Sequence, residues 1–327
     1  MTGAEERLYV GADLHGNNVV LSVLDAAGAK VWERRVKARL DTVLRALDPI
    51  RDRVAAVGVE STYNWYWLVD GLLERELPAM LANPSRLNPY KGLKATDDFA
   101  DARWLAELTR LGAFPASYIC PEPLRGMRDL LRRRLLLVEM RTGLLNSLGA
   151  LRARHGLDQG MEAGRWTKAQ AEIMTDQADR LGEAILKAEK LVLEAVRPTP
   201  DLRRIMTVPG LGQVLGMTVL LESGDFTRFA GAGHYASYAR TVKSTRTSNG
   251  KVKGSNNARN GNPHLARAFA EAAHHASRHY PRIAKWFAGK ARRRPKPVAW
   301  KALASKLAKG TWHVMNGEDF SMERLFG

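Results

Sequence analysis

Three carboxylates crowd into one short stretch of the chain, residues 96–102, which reads TDDFADA. If the stretch is helical, Asp98 and Asp101 lie at i and i+3 on one face. Two carboxylates held so close repel each other unless a cation lies between them, and Mg²⁺ prefers oxygen ligands of this kind. Carboxylates also suit the start of an ordinary helix, where they satisfy free N–H groups, and taken alone the stretch favours that interpretation.

Two further acids, each at the end of an apolar run, shift that balance. Asp13 is the last residue but one of the run RLYVGADL, and Glu60 is the last residue of the run VAAVGVE. The pattern predicts a meander of three strands, a helix over Leu40–Arg53, a fourth strand, a helix over Trp65–Arg75, a short strand over Pro78–Ala82 and then the acidic helix. Because the ends of such strands meet at one edge of a mixed sheet, we expect all these acids to face one space and to hold two divalent ions for phosphoryl transfer.

The charge of the chain is strongly uneven. Its 327 residues carry a net charge of +17, to which residues 1–120 contribute −1, residues 121–200 contribute +3 and residues 201–327 contribute +15. The basic last third predicts a polyanionic partner, of which nucleic acid is the simplest.

Other broad classes of protein do not fit the composition. No apolar run approaches the roughly 18 residues of a membrane span, and the first residues do not have the pattern of a signal peptide. The single cysteine, Cys120, excludes an intrachain disulfide and a cysteine-rich zinc site. These features predict a bacterial, cytoplasmic protein without a membrane partner.

The segments GADLHG, VESTYNWYW and TDDFADARWLAEL together resemble the RuvC-type, ribonuclease H-like domain of a known family. These are the DEDD transposases of the bridge-RNA-guided insertion sequences, the "IS one-ten" family. There the third and fourth acids are spaced D-x-x-D and precede a small residue, which matches Asp98, Asp101 and Ala102. Asp97 is a rival for the third acid, because the family's threonine precedes that acid directly, as Thr96 does here, and spacing favours Asp98.

Residues 121–200 predict two long helices. Apolar residues recur at helical spacing over Leu124–Ala153, and after a glycine-containing gap a second helix, capped by Thr167, runs to about Val196. Two long helices joined by a loop indicate an antiparallel hairpin or coiled coil, and an ordinary buried helical pair also fits. The resemblance favours a dimerisation arm.

Residues 201–327 contain a glycine turn and a polar, basic loop. Val208–Gly212, which reads VPGLG, resembles a helix-hairpin-helix turn in which Gly210 and Gly212 expose N–H groups to a phosphate. Residues 240–262 carry no acid and too few apolar side chains for a core, so we expect a surface loop or a segment ordered by its ligand. Its serines lie among basic side chains that can present a phosphodiester to a hydroxyl or merely contact phosphate, namely Arg246, Lys251, Lys253 and Arg259.

The order PGLG, LLESGDFTRF, SNGK, GN and LARAFAEAA is similar to the C-terminal transposase domain of the same family. There a serine in an S-G-G-K-like stretch attacks DNA, and its match here is Ser248, with Asn249 in place of a glycine. The resemblance implies donor and target DNA, a structured bridge RNA, and dimers that assemble into tetramers. It also implies that Ser248 is the nucleophile and that Mg²⁺ or Mn²⁺ is bound by Asp13, Glu60, Asp98 and Asp101.

Three parts are therefore expected: a RuvC-like α/β catalytic domain over residues 1–120, a helical coiled-coil arm over 121–200, and a mostly α-helical, basic transposase domain over 201–327. The predicted function is RNA-guided DNA recombination, in which serine attack on a phosphate is assisted by metal ions. A metal-dependent, junction-resolving nuclease, in which water attacks, and a non-catalytic RNA-binding protein are the alternatives.

Overall fold

The computed structural model describes residues 7–87, 97–195, 199–242, 245–255 and 260–327. The chain forms two compact units, Met1–Ile119 and Cys120–Gly327, called unit 1 and unit 2 below. Unit 2 contains both the predicted arm and the predicted basic domain. The division of the chain into three domains therefore stays a prediction.

Unit 1 is built on a five-stranded mixed sheet of order β3-β2-β1-β4-β5. β1, β2 and β3 pair antiparallel, whereas β4 and β5 run parallel to β1. The predicted meander and fourth strand are confirmed. The strands are Leu8–Leu14 (β1), Asn18–Leu24 (β2), Lys30–Lys37 (β3), Val54–Glu60 (β4) and Ala79–Ala82 (β5).

Four α-helices accompany this sheet in the described part of unit 1: Leu40–Leu47 (α1), Tyr66–Glu74 (α2), Pro84–Leu87 (α3) and Asp98–Arg110 (α4). The prediction of one helix over Leu40–Arg53 is wrong, because α1 ends at Leu47 and a 3-10 helix, Asp48–Arg53, follows. Pro49 has no N–H to donate to the carbonyl four residues earlier, so the chain tightens there.

The helix α4 lies directly against β1 because neither surface carries bulk at the contact. A Cβ atom on Gly11 would overlap the carbonyl oxygen of Ala102 and crowd the amide nitrogen of Ala106. Both alanines are fully buried and lie one turn apart on α4. Backbone therefore packs on backbone, and the acidic first turn of α4 is drawn toward the end of β1.

Ion pairs fasten α4 across the sheet as well. On the edge strand β3, Glu33 accepts two hydrogen bonds from the guanidinium of Arg103, at 2.8 and 2.9 Å. Ser22, on β2, donates to the same carboxylate. Because bidentate guanidinium–carboxylate pairs have a fixed geometry, they set the angle at which the helix crosses the strands.

Unit 2 begins with a pair of long helices, Glu122–Arg154 (α5) and Arg165–Ala195 (α6). They run antiparallel, since Arg134 pairs with Glu189 while Arg141, further along α5, donates to the carbonyl of Ala178. The predicted hairpin is confirmed. The predicted cap at Thr167 is wrong, because α6 begins two residues earlier and Thr167 lies buried inside it.

Seven shorter helices follow in the described part of unit 2. They enclose an aromatic and alanine-rich core in which Tyr235 and Phe269 are fully buried. The helices are Pro200–Met206 (α7), Gln213–Ser223 (α8), Ala232–Tyr238 (α9), Pro263–His279 (α10), Pro281–Arg293 (α11), Lys296–Met315 (α12) and Met322–Phe326 (α13). Among the residues described, none of the helices is long and apolar enough to cross a membrane.

The close contact at Gly11 leads to a prediction about the stability of unit 1. Gly11→Ala should lower the free energy of unfolding of unit 1 by about 1–3 kcal/mol, because the new methyl group meets backbone atoms that cannot rotate away. Gly126→Ala, in α5, is the control, since a Cβ there meets nothing within 4 Å. It should leave stability unchanged or raise it by about 0.5–1 kcal/mol. Urea unfolding curves that coincide for the two variants would contradict the close contact.

Candidate active site

The register of the sheet places two acids side by side. In the parallel ladder between β1 and β4, Ala12 pairs with Val59. The next residues, Asp13 and Glu60, therefore end neighbouring strands at the same edge. Because alternate residues of a strand share a face, Asp13 lies on the face of Gly11, which α4 covers.

Asp13 is the centre of the acidic cluster. It is almost fully buried. The pKa of Asp13 is raised to about 6: burial raises it most, the nearby His15 lowers it, and the carboxylates of Asp101, Glu60 and Asp98 raise it. All three of the other predicted acids thus lie close enough for their charge to act on Asp13, and the structure brings the four together.

His15 and Arg35 complete this cluster. The Nε2 atom of His15 lies 3.0 Å from Oδ2 of Asp13 and 3.6 Å from Oδ1 of Asp98. Arg35, on β3, donates to Oδ2 of Asp98 at 2.7 Å. Sequence reasoning gave neither residue a role, although the spacing D-x-H carried a signal, because residues i and i+2 beside a strand share a face.

The two rivals for the third acid have different surroundings. Asp97 is the N-cap of α4, and its Oδ1 accepts the amide hydrogen of Ala100 at 2.7 Å. Its carboxylate is engaged by its own helix. Asp98 instead reaches His15 and Arg35, so it is the member of the pair that lies in the cluster.

A short loop fixes the two strand ends relative to each other. After β4, Thr62 donates from its hydroxyl to the side-chain oxygen of Asn64 at 2.9 Å. The Asn64 amide then donates to the backbone carbonyl of His15 at 3.2 Å. The segment that follows Glu60 is therefore tied to the segment that follows Asp13.

The cluster suits a divalent cation. One donor atom each of Asp13, His15 and Asp98 lies within 4.8 Å of the other two. Carboxylate oxygens are ligands for Mg²⁺ and Mn²⁺, and an imidazole nitrogen is compatible with Mn²⁺. Two further carboxylates nearby supply the negative charge that a second ion would need.

The predicted nucleophile lies in unit 2, on a hairpin. The strands Thr245–Ser248 (β6) and Lys251–Ser255 (β7) pair antiparallel, with Ser248 opposite Lys251. Asn249 and Gly250 connect them with φ of 53° and 71°. Both values are left-handed, as a type I′ turn requires, and Asn-Gly is its strongest sequence signal.

The sequence predicts a surface loop or a ligand-ordered segment over residues 240–262, and part of that segment is a regular β-hairpin, which the Asn-Gly pair also indicates. Of the predicted phosphate contacts, Arg246 lies in β6, and Lys251 and Lys253 are exposed in β7. Arg259 lies outside the described residues.

The base of the hairpin is clamped. Arg240, itself at a φ of 56°, donates from Nε to the carbonyls of Asn260 and Gly261 at 3.1 and 3.0 Å. The backbone amide of Asn262 donates to the backbone carbonyl of Tyr238 at 2.6 Å. The chain thus leaves and re-enters the helical core at one fixed point.

A buried carboxylate stands behind this clamp. Glu222 accepts two hydrogen bonds from the Arg132 guanidinium, at 2.5 and 2.8 Å, and one from the Asn262 amide at 2.7 Å. Burial raises the pKa of Glu222, but Arg132 and Asn262 together outweigh it, so the pKa lies below its ordinary value. Asn262 also caps α10 by accepting from the amides of His264 and Leu265.

The two glycines of the predicted phosphate-binding turn, Gly210 and Gly212, have different surroundings. Gly210 has a φ of 85°, and a Cβ there would overlap the carbonyl oxygen of Ala272, so its packing against α10 alone requires glycine. Gly212 is exposed at the N-cap of α8, with open space around it and no side chain that caps the helix. Of the two, Gly212 has the surroundings that a phosphate contact needs.

A mixed sheet of this order, with acids at the ends of β1 and β4 and two more on a covering helix, is compatible with a ribonuclease H-like enzyme of phosphodiester chemistry. A model of DEDD transposases of the IS110 type matches residues 10–153. A model of the transposase IS116/IS110/IS902 family matches residues 202–288. The chain belongs to this family of insertion-sequence transposases, which are enzymes of DNA recombination.

Two curated relatives agree with that assignment. The transposase for insertion sequence element IS1111A of Coxiella burnetii is 23% identical, over 95% of this chain and 90% of the relative. The probable family 20 transposase of Pseudomonas aeruginosa is also 23% identical, over 94% of this chain and 97% of the relative. Both alignments run through unit 1 and unit 2 alike.

The raised pKa of Asp13 predicts a pH dependence of metal binding. Below about pH 6 the carboxyl is protonated and cannot serve as a ligand, so the affinity for Mn²⁺ should rise as the pH increases from 5 to 7. Titration calorimetry in several buffers should show about one proton released per ion at pH 5. Asp97→Asn should keep this dependence, whereas an affinity that is flat between pH 5 and 7 would contradict it.

The buried Glu222 predicts a large stability effect. Glu222→Ala should lower the free energy of unfolding of unit 2 by about 3–5 kcal/mol, because Arg132 loses the partner of a buried pair. The matched control is Glu139→Ala, which removes an exposed ion pair with Arg267 and should cost at most about 1 kcal/mol. Because the pKa of Glu222 is lowered, its contribution is full above the ordinary glutamate pKa and should fade as the pH falls below it. Equal losses in the two variants would contradict this role.

Proposed function

We propose that this transposase is an RNA-guided recombinase that cuts and rejoins DNA by serine attack on phosphate, assisted by divalent ions. The observation that carries the metal part is the convergence of three further acids on one buried carboxylate, Asp13. The ligands are Asp13, Glu60, Asp98 and Asp101. Repulsion among them is relieved when cations bind.

The residues of unit 1 hold this site in order. Asp13 is fixed by its strand, and Asp98 and Asp101 by the first turn of α4. The Nε2 atom of His15 lies within 3.6 Å of a carboxylate oxygen of both Asp13 and Asp98. When bound, the ions would polarise the scissile phosphate and stabilise the leaving oxygen.

Ser248 is the proposed nucleophile. Its hydroxyl oxygen bonds to phosphorus while the bond from phosphorus to a deoxyribose oxygen breaks, and the proton lost by the serine is made up by one that the leaving oxygen takes from solvent, so that the DNA leaves as a hydroxyl. The strand stays linked to the protein as a phosphoserine ester, so the reverse attack by a DNA hydroxyl restores both serine and DNA without an external energy source. A position beside a tight turn on a clamped hairpin supports this role, because a weak nucleophile must be presented in a fixed geometry.

The arm offers a surface for a second copy. Several large apolar side chains of α5 and α6 are exposed and are not buried in the packing of the two helices on each other. We include a dimer through this surface, and tetramers made from two dimers, in the proposal. The exposed side chains are Leu136, Met140 and Leu145 on α5 and Ile173, Leu186 and Leu191 on α6.

The covalent step is tested by trapping protein on DNA. Ser248→Ala should form no adduct on a recombination substrate with Mg²⁺, whereas Ser244→Ala and Ser255→Ala should form it as the wild type does. Strand cleavage by Ser248→Ala without an adduct would mean that water attacks, as in a junction-resolving nuclease. An adduct that persists in that variant would move the nucleophile to another residue.

The acids are tested in pairs. Asp98→Ala should lower the cleavage rate by at least about 100-fold while nucleic-acid binding is kept, because a metal ligand and a negative charge are lost. Asp97→Ala should cost only the helix cap, about 1 kcal/mol of stability. If Asp97→Ala is the inactive variant and Asp98→Ala is active, the third acid has been assigned to the wrong residue.

The proposal of a guide RNA is tested by sequencing the RNA that co-purifies with the protein.

A further inference from the structure

We propose that the exposed face of α11 and its junction with α12 form a docking surface for the phosphate backbone of duplex DNA, apart from the serine hairpin. This surface is called the α11 face below and comprises residues 285–296. The inference deepens the proposed function, since it names where a DNA substrate is held while other residues react with it.

Charge on this part of the chain is one-sided. Between Glu271 and Glu318 there is no Asp or Glu, yet there are eleven Lys and Arg residues. Six of them lie on the α11 face, are exposed, and make no ion pair within the part of the chain that the structure describes. They are Lys285, Lys290, Arg292, Arg293, Arg294 and Lys296.

Several cations elsewhere in unit 2 are paired with carboxylates of the same unit. Arg132 pairs with Glu222, Arg134 with Glu189, and Arg152 with Asp158. On the α11 face three arginines instead follow one another, and no carboxylate of the described residues pairs with any of them. Such crowding costs free energy by like-charge repulsion, and a polyanion would relieve it.

The spacing on α11 fits an extended anion. Lys285 and Arg292 lie seven residues apart on the same side of the helix, about 10 Å along its axis. Between them only Ala288 and Gly289 are exposed on that side. A Cβ on Gly289 would meet nothing within 4 Å, so no neighbour in this chain requires glycine there. A helix with glycine at an interior position is less stable by roughly 0.5–1 kcal/mol, and close approach of a ligand backbone gives that glycine a purpose.

The aromatic side chains of this region point inward. Phe287 stacks on Trp300 with ring centres 3.9 Å apart, and Trp286 packs edge-on against Phe326 at 5.7 Å. Single strands are held by stacking of unpaired bases on exposed rings, which the α11 face does not offer. The combination of cations, small residues and partly buried rings that pack against one another favours the backbone of a duplex.

The experiment compares two triple variants of the full chain. Lys285→Gln/Arg292→Gln/Arg293→Gln removes three charges from the α11 face. Arg154→Gln/Lys168→Gln/Lys187→Gln removes three exposed, helical charges from the arm and is the control. Binding to a duplex oligonucleotide is measured by fluorescence anisotropy over a range of salt concentrations.

The α11 variant should lower the slope of log affinity against log salt by about 2–3, since each lost phosphate contact accounts for about 0.9. The control variant should leave the slope within about 0.5 of the wild-type value. Equal slopes for the α11 variant and the wild type would overturn the proposal. So would a loss confined to RNA, with duplex DNA binding unchanged.

A single substitution separates docking from folding. Gly289→Leu should weaken duplex binding several-fold without lowering the midpoint of urea unfolding, since leucine favours the helix and meets no neighbour. Gly143→Leu, at an equally open position of α5, should bind as the wild type does. Wild-type affinity in Gly289→Leu would contradict close approach at this face. At saturating DNA the α11 variant should still form the Ser248 adduct, so failure of the docking surface and failure of the covalent mechanism are told apart.

Discussion

The candidate metal site depends on how closely the helix α4 lies on the strand β1. Gly11 has no side chain, and Ala102 and Ala106 have only methyl groups, so the backbone of the strand lies in contact with that of the helix. Three acids of the candidate site are positioned from that contact. Asp13 follows Gly11 by two residues on the same face, and Asp98 and Asp101 precede Ala102 on the turn that reaches the strand end. A larger side chain at the contact would move the helix away and spread the acids apart.

Such a site is electrostatically costly, and the fold offsets part of the cost. Burial and three neighbouring carboxylates raise the pKa of Asp13 to about 6. His15 lies against two of the acids, and Arg35 reaches in from the edge strand to pair with Asp98. Charge is arranged differently in unit 2, where Glu222 is buried and paired with Arg132, whereas the six exposed cations of the α11 face make no ion pair with the residues that the structure describes. The acidic cluster of unit 1 therefore attracts cations, whereas the α11 face of unit 2 attracts anions.

Local signals in the sequence were sufficient for much of this. The apolar runs that end in Asp13 and Glu60, and the helix after TDDFADA, depend on residues close together in the chain. Spacing favours Asp98 over Asp97 without excluding either, and it is the capping contact of Asp97 with Ala100 and the contacts of Asp98 with His15 and Arg35 that distinguish their surroundings. The parts played by Arg35 and Glu222 depend on partners 63 and 90 residues away, which no periodicity reveals. Asn249 and Gly250 indicate a hairpin turn, whereas the polar composition of the residues around them is typical of a surface loop.

The most direct test of the central claim is an anomalous-scattering map from crystals of the protein grown with Mn²⁺ at a pH above 7. The account predicts manganese among Asp13, Glu60, Asp98 and Asp101, with Asp97 still bound to the amide of Ala100. Manganese at another position, or a map without a peak beside Asp13 at millimolar Mn²⁺, would contradict it.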